Sequence, residues 1–182
     1  AGQVWNANRY HLAGALDLPW IEAIDMGVVP DRPDLLRQAL EQASLLADIV
    51  VTTGGVSVGD EDHMPAVLRA AGGEIHVIKV AMKPGKPLVI GRIGAALYLG
   101  LPGNPVSAMV AAHLFLLPLT KRLAGRSITP DIRMAQLVEP IGANGARQDY
   151  ARALVTVSQG HLLARPFSRQ DSSMLRVLAE AN

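Results

Sequence analysis

Thr52-Thr53-Gly54-Gly55-Val56-Ser57-Val58-Gly59-Asp60-Glu61-Asp62 is the stretch around which the rest of the chain is read. Just before it, Asp48-Ile49-Val50-Val51 is rich in β-branched residues, predicting a buried strand that stops at the glycines. Gly54 and Gly55 reach backbone angles that other residues adopt only with strain, so successive N–H groups can face one concavity. Ser57 adds a hydroxyl, and Asp60, Glu61 and Asp62 place three carboxylates just beyond. Donors for an anion therefore stand beside ligands for a hard cation, a pairing suited to a phosphate or oxyanion held with Mg2+. The bland alternative is a strand-to-helix turn followed by solvated acidic residues. The crowding of three carboxylates at one strand end weighs against it. The loop is neither a Walker A loop nor a dinucleotide fingerprint, because Gly-Lys-Ser/Thr and G-x-G-x-x-G are both absent.

Working outward, 8–18 carries Tyr10, Ala13 and Leu16 at helical spacing with Asn8 as a cap, and 20–26 is expected as a strand. A helix is predicted over 32–47, with Leu35, Leu36, Ala39, Leu40, Ala43 and Leu46 forming one apolar stripe. Asp31 and Asp34 read locally as a capping pair, which gives Asp31 a structural role. Beyond the glycine loop a short helix over 64–71 ends at Gly72-Gly73, and a strand over 75–80 delivers Met82-Lys83-Pro84-Gly85-Lys86-Pro87. Lys79, Lys83 and Lys86 fall within eight residues of a nearly neutral chain. A solvated basic turn is the ordinary fate of such lysines. Against it, this loop follows a strand as the acidic glycine loop does, so the two are expected to face each other.

Residues 88–93 and 96–101 predict a hairpin turned at Gly94. Leu101-Pro102-Gly103-Asn104-Pro105 then opens an apolar helix, with Asn104 as N-cap, Pro105 at the first position and Ser107 in the first turn. Such an N-terminus also attracts anions. From Thr129 short strand-like runs over 134–138, 150–158 and 161–165 alternate with glycine and polar turns. A domain boundary is placed accordingly, giving 1–127 and a partial module over 128–182. Strands alternating with helices predict an open, mostly parallel α/β sheet in three layers. In such sheets ligands gather beyond the carboxyl ends of strands. Asp31 and the loops 54–62, 83–86 and 103–107 would then meet on one rim.

Composition narrows the function. With 182 residues, 49% of them hydrophobic, the chain can bury a full core. A net charge of +1 and 4% aromatic residues argue against a nucleic-acid surface. The absence of cysteine excludes disulfides, thiolate metal sites and cysteine nucleophiles, and fits a cytoplasmic protein. The longest apolar run, 106–119, is interrupted by His113 and Pro118, so no membrane span is expected. The five histidines show no metal-protease spacing. The opening Ala1-Gly2-Gln3 has no signal-peptide character, and a fragment of a longer protein is expected.

GGVSVGDED, KPGKPLVIG and LPGNPVSA, in this order and spacing, resemble the molybdopterin molybdenumtransferase family (MoeA, and the E domain of gephyrin). YARALV and QDSSMLRVLAEAN resemble the family's last β-barrel domain. The resemblance implies a MogA/MoaB-like α/β core and insertion of molybdenum from molybdate into adenylylated molybdopterin, with Mg2+ and release of AMP. It implies catalytic roles for Asp31, Asp62, Lys79 and Lys83, with Asp62 and Asp31 as metal ligands. Gly54, Gly55, Ser57, Gly59, Lys86, Gly103, Asn104, Ser107, Arg152 and Ser172 are implied as residues that bind the pterin, its phosphates or the same cleft. It also implies a homodimer in the full-length protein and an upstream adenylyltransferase partner. Asp171 and Ser173 stand where the family has glycines around Ser172. Two alternatives are a related molybdopterin adenylyltransferase, whose TGxxxRD-like continuation is replaced here by VSVGDED, and a non-catalytic gephyrin-like scaffold.

Overall fold

The computed structural model describes residues 6–55 and 63–182. Helix α1 (Ala7–Ala15) is capped by Asn6, whose side-chain oxygen accepts from the Arg9 amide at 3.3 Å. The expected cap, Asn8, instead lies inside the helix and is buried. Residues 20–26 do not form the predicted strand. They find no pairing partner among the described strands, and Ile24 and Met26 face solvent.

Helix α2 (Pro33–Leu46) starts on proline as expected, but Arg32 occupies the N-cap without a side-chain capping bond. The capping role read for Asp31 is therefore corrected. Asp34 accepts from the Arg32 guanidinium at 2.7 Å, so the local carboxylate–arginine contact replaces the capping pair. Then follow β1 (Ile49–Thr53), α3 (Met64–Ala70), β2 (Glu74–Lys79), β3 (Met82–Lys83), β4 (Pro87–Ile93) and β5 (Ala96–Leu101).

The main sheet has the order β1-β5-β4-β2. Only β1 and β5 are parallel; β4 runs antiparallel to both β5 and β2, so the sheet is mixed and not mostly parallel. The reason is local. Gly94 turns β4 straight back into β5, and a hairpin forces opposed strands. The convergence of loops survives this change. β1 and β5 end together (Thr53 opposite Leu101), β4 begins where β5 ends, and β2 ends opposite the start of β4 (Lys79 opposite Pro87).

Two apolar cores cover the sheet. On one side Leu40 of α2 and Val67 and Leu68 of α3 pack on Val50, Val89 and Tyr98. On the other, Leu12 of α1 and the helix that follows β5 pack on Leu88, Leu99 and Leu101. That helix runs through α4 (Pro105–Ala111), a π-helical segment (Ala112–Leu116) and α5 (Leu117–Leu123). By length and composition alone it is apolar enough to cross a membrane, which the sequence reading did not expect. Its Ala108, Ala111, Ala112 and Leu116 are nonetheless buried against the sheet, as in a core helix.

The tail contributes β6 (Gln136–Leu137), β7 (Gln148–Asp149), β8 (Ala153–Ser158), β9 (His161–Pro166) and α6 (Leu175–Glu180). β8 and β9 form an antiparallel ribbon with β6 alongside, while β7 pairs with β3 of the first body. The β3–β7 pair is two residues long, yet it brings Asp149 opposite Lys83.

Candidate functional site

A cavity of about 390 Å3 opens on the rim where β1 and β5 end. Gly54 and Gly55 form one wall, with φ of +84° and +66°, the left-handed region in which side-chain-bearing residues are strained. The Gly54 amide donates to the Leu101 carbonyl at 3.2 Å, tying this wall to the Pro102–Asn104 loop. Asn8 holds that loop from behind, its Nδ2 donating to the Gly103 carbonyl at 2.8 Å. The third wall is Lys83-Pro84-Gly85-Lys86-Pro87, held by the Val80 amide donating to the Lys86 carbonyl at 3.0 Å.

The tail closes the cavity. Ser172 is clasped twice at the start of α4: its Oγ accepts from Asn104 Nδ2 at 2.9 Å, and its carbonyl accepts from the Val106 amide at 3.0 Å. Asn104 occupies the expected N-cap position, but its side chain reaches the tail and makes no capping bond. On the opposite side the Gln148 and Tyr150 amides donate to the carbonyls of Ala81 and Lys83, both at 2.8 Å. Arg147 and Gln170 complete the lining.

Of the residues expected at the site, Gly54, Gly55, Lys83, Lys86, Gly103, Asn104, Ser107 and Ser172 share this cavity. Ser57, Gly59 and Asp62 lie outside the described residues. Asp31 is exposed and lines neither this cavity nor its neighbour. Lys79 is on the same rim but also lines neither. Arg152 sits one layer back and is 5% exposed. Its main chain is gripped by Gln170, whose Oε1 accepts from the Arg152 amide and whose Nε2 donates to the Arg152 carbonyl. Burial pulls the Arg152 guanidinium below the ordinary arginine value, opposed by the Asp149 and Asp171 carboxylates. Arg152 Nε and Nη2 have no hydrogen-bond acceptor among the described residues.

Lys83, Lys86 and Arg147 give the cavity three cations and its described lining no carboxylate. Lys83 Nζ stands 3.5 Å from Asp149 Oδ2 at the edge, with 53% of its side chain exposed, so solvent weakens this pair. Among the described residues no three histidine, aspartate or glutamate side chains gather as a metal site. The described residues thus do not make a Mg2+ site, and an oxyanion or phosphate is the ligand they fit.

Arg147 and Gln170 were not picked out from the sequence. Each reaches the cavity through a contact remote in the chain: Arg147 through the short β3–β7 pair, Gln170 through the Ser172 clasp. Arg147 precedes the two-residue β7 and is not itself in a strand, so no local periodicity marks it.

The Ser172 turn carries its own electrostatic support. Ser173 donates to Asp171 Oδ1 from both Oγ (2.6 Å) and its amide (2.8 Å), holding the Asp171 carboxyl below the ordinary carboxylate range. A carboxyl depressed in the folded state stabilises above its unfolded pKa and loses that contribution as pH falls through the folded value. The turn is therefore expected to stay intact through neutral pH and to loosen only in acid below the ordinary carboxylate range. Titrating the Ser173 amide by NMR checks this; a transition near neutrality would contradict it.

A mixed sheet with a cation-lined cleft, closed by a small β module, defines an α/β protein whose cleft suits a small anionic ligand. Residues 1–122 match the family described as the probable molybdopterin binding domain, and residues 134–182 match the MoeA C-terminal region (domain IV). The chain belongs to the molybdopterin molybdenumtransferase (MoeA) family. It is 40% identical over 126 residues to the molybdopterin molybdenumtransferase of Haemophilus influenzae, covering 69% of this chain and 31% of that protein. With the enzyme of that name from Nostoc it shares 36% identity over 154 residues, covering 82% and 35%. A solved molybdopterin biosynthesis MoeA protein from Pyrococcus horikosii superposes with a TM-score of 0.79 at 29% identity, covering 98% of this chain and 42% of that one. The chain spans about a third of the length of these two curated relatives.

Proposed function

We propose that this chain carries the cleft in which molybdenum from molybdate is inserted into adenylylated molybdopterin, with AMP released by hydrolysis. One observation carries the reading: Lys83, Lys86 and Arg147 surround a cavity whose described lining holds no carboxylate. Such a field concentrates a multiply charged oxyanion and holds it without competition from the protein's own anions. Molybdate and a phosphate present the same outward chemistry, so one cleft can hold both reactants side by side.

In this scheme Lys83 and Lys86 neutralise charge on molybdate and the phosphates, and Ser107, Asn104 and Ser172 orient them by hydrogen bonds. Gly54 and Gly55 allow an anionic group to approach the backbone closely, and Ser57 and Gly59 are further residues proposed to bind the pterin or its phosphates. Lys79 reinforces the positive rim, and Arg152 has donors in reserve for a ligand that reaches the inner layer. Reaction at an anionic centre requires neutralised charge and aligned partners more than a protein nucleophile. The roles expected for Asp31 and Asp62 with Mg2+ are left out of the scheme, because Asp31 lines neither cavity and Asp62 lies outside the described residues.

The scheme further places the chain in a cytoplasmic homodimer, divides it at residues 127/128, and has an adenylyltransferase supply the adenylylated pterin. Tungstate soaked into crystals tests it. Anomalous density is expected between Lys83, Lys86 and Gly54; density confined to other surfaces would refute the assignment.

A further inference from the structure

The chain has five asparagines, and the residue after each decides what its side chain can undergo. A backbone nitrogen can attack the side-chain amide carbon of the asparagine before it when that nitrogen is unshielded and the backbone is free to bend. Asn104 is followed by Pro105, which has no N–H to lose. Asn6 caps α1 and Asn8 is buried within it. The Asn182 side chain is held twice by the Val155 main chain, at 2.6 and 3.0 Å. Asn144 differs from all four, because a glycine follows it.

Residues 141–145 belong to no helix or strand, and Asn144 and Gly145 are both exposed. Among the described residues no hydrogen bond holds the Asn144 side chain or the Gly145 amide. A Cβ built on Gly145 meets nothing within 4 Å, so the space around its nitrogen is open. The surroundings favour attack as well. A second cavity, of about 370 Å3, adjoins the first, and Asn144 and Gly145 line it together with Lys83 and Arg147. Both cations also line the first cavity. A positive field stabilises the deprotonated amide that attacks and the oxyanion that forms on the attacked carbon.

We propose that Asn144 is a site of spontaneous deamidation and that the carboxylate formed opposes the field of Lys83 and Arg147. The Gly145 nitrogen, its proton lost to hydroxide, bonds to Asn144 Cγ; the Cγ–Nδ2 bond breaks and ammonia leaves, giving a succinimide ring. Water then opens the ring at either carbonyl. One opening yields aspartate, the other isoaspartate, and each lowers the formal net charge by one from +1. Isoaspartate also adds a methylene to the main chain just ahead of β7, whose pairing with β3 brings Asp149 opposite Lys83. The effect on anion binding rests on the reading of the first cavity as an oxyanion site; the modification itself does not.

Incubating the 182-residue chain in mild alkali and mapping its peptides by mass spectrometry tests the proposal. A gain of about 1 Da is expected at Asn144 before any other asparagine, with isoaspartate detected by enzymatic methylation. Gly145→Ala, whose methyl group has free space in the fold, should melt with the parent and slow the gain severalfold, because the methyl hinders ring closure. Asn144→Asp installs the charge at once and should weaken tungstate binding about fivefold by calorimetry, the scale of one partly solvated charge. Asn144→Ser, which is neutral and cannot deamidate, should bind as the parent does. Deamidation first at another asparagine, an undiminished rate in Gly145→Ala, or parental tungstate affinity in Asn144→Asp would each overturn the proposal. A fresh chain that binds no tungstate would remove the metal-insertion reading, while the mass gain at Asn144 still decides the modification.

Discussion

Gly91→Ala is expected to destabilise the protein by about 3 kcal/mol, the upper part of the range for overpacking a well-packed interior. Gly91 lies in β4 opposite Ile75 of β2. A Cβ built there runs into the Glu74 carbonyl oxygen and stands 3.2 Å from its carbon and 3.4 Å from the Ile75 Cα. All three are backbone atoms, so no side chain can rotate out of the way and the two strands must part. β2 is the edge strand that delivers Lys79 and the Lys83–Lys86 loop, so the damage should extend to the cavity. The melting temperature should fall by about 6–12 °C for a chain of this length. Gly142→Ala, which meets nothing within 4 Å, serves as the control and should be near neutral. A Gly91→Ala protein that melts with the parent would show that β2 and β4 lie farther apart than described.

Lys83→Ala is expected to weaken tungstate or molybdate binding about tenfold or more, the loss of one charge-assisted contact to an anion. Stability should barely move. The Lys83–Asp149 pair is long and half-exposed, and pairs of that kind contribute about 0–1 kcal/mol. Binding by calorimetry and melting by circular dichroism, measured on the same preparation, separate the two effects. Lys121→Ala, which removes a cation from α5 outside both cavities, controls for net charge. Equal losses from both variants would mean that the oxyanion responds to overall charge and not to the cleft.

The sequence exposed more of the helices and the loops than of the sheet. The apolar stripe of α2, the proline starts of α2 and α4 and the glycine between β4 and β5 are local signals, and each element appears within a residue or two of its expected place. The strand expected over 20–26 does not form, because a strand needs a neighbour and residue type alone does not provide one. Mixed strand direction was likewise hidden, although the Gly94 hairpin already implied one antiparallel pair.

The site divides along the same line. Gly54 and Gly55, the Lys83–Lys86 loop and the Gly103–Ser107 turn were legible as pieces of one cavity, because each is a short segment with its chemistry in adjacent residues. Asp31 was placed at a helix cap, but Arg32 takes that position, since capping depends on which backbone dihedral turns first. Arg147 and Gln170 had no local signal at all.

By itself the sequence determined which glycine-rich and lysine-bearing loops follow its strands, and that no thiol takes part. Those properties belong to residue type and spacing over a few positions. Only the tertiary structure decided that the tail completes the cleft, that Arg147 joins Lys83 through a two-residue strand pair, and that Ser172 locks onto the start of α4. The physical reason is range. Hydrogen bonds between segments 65 or more residues apart become available only once burial of the two apolar cores has brought the segments together.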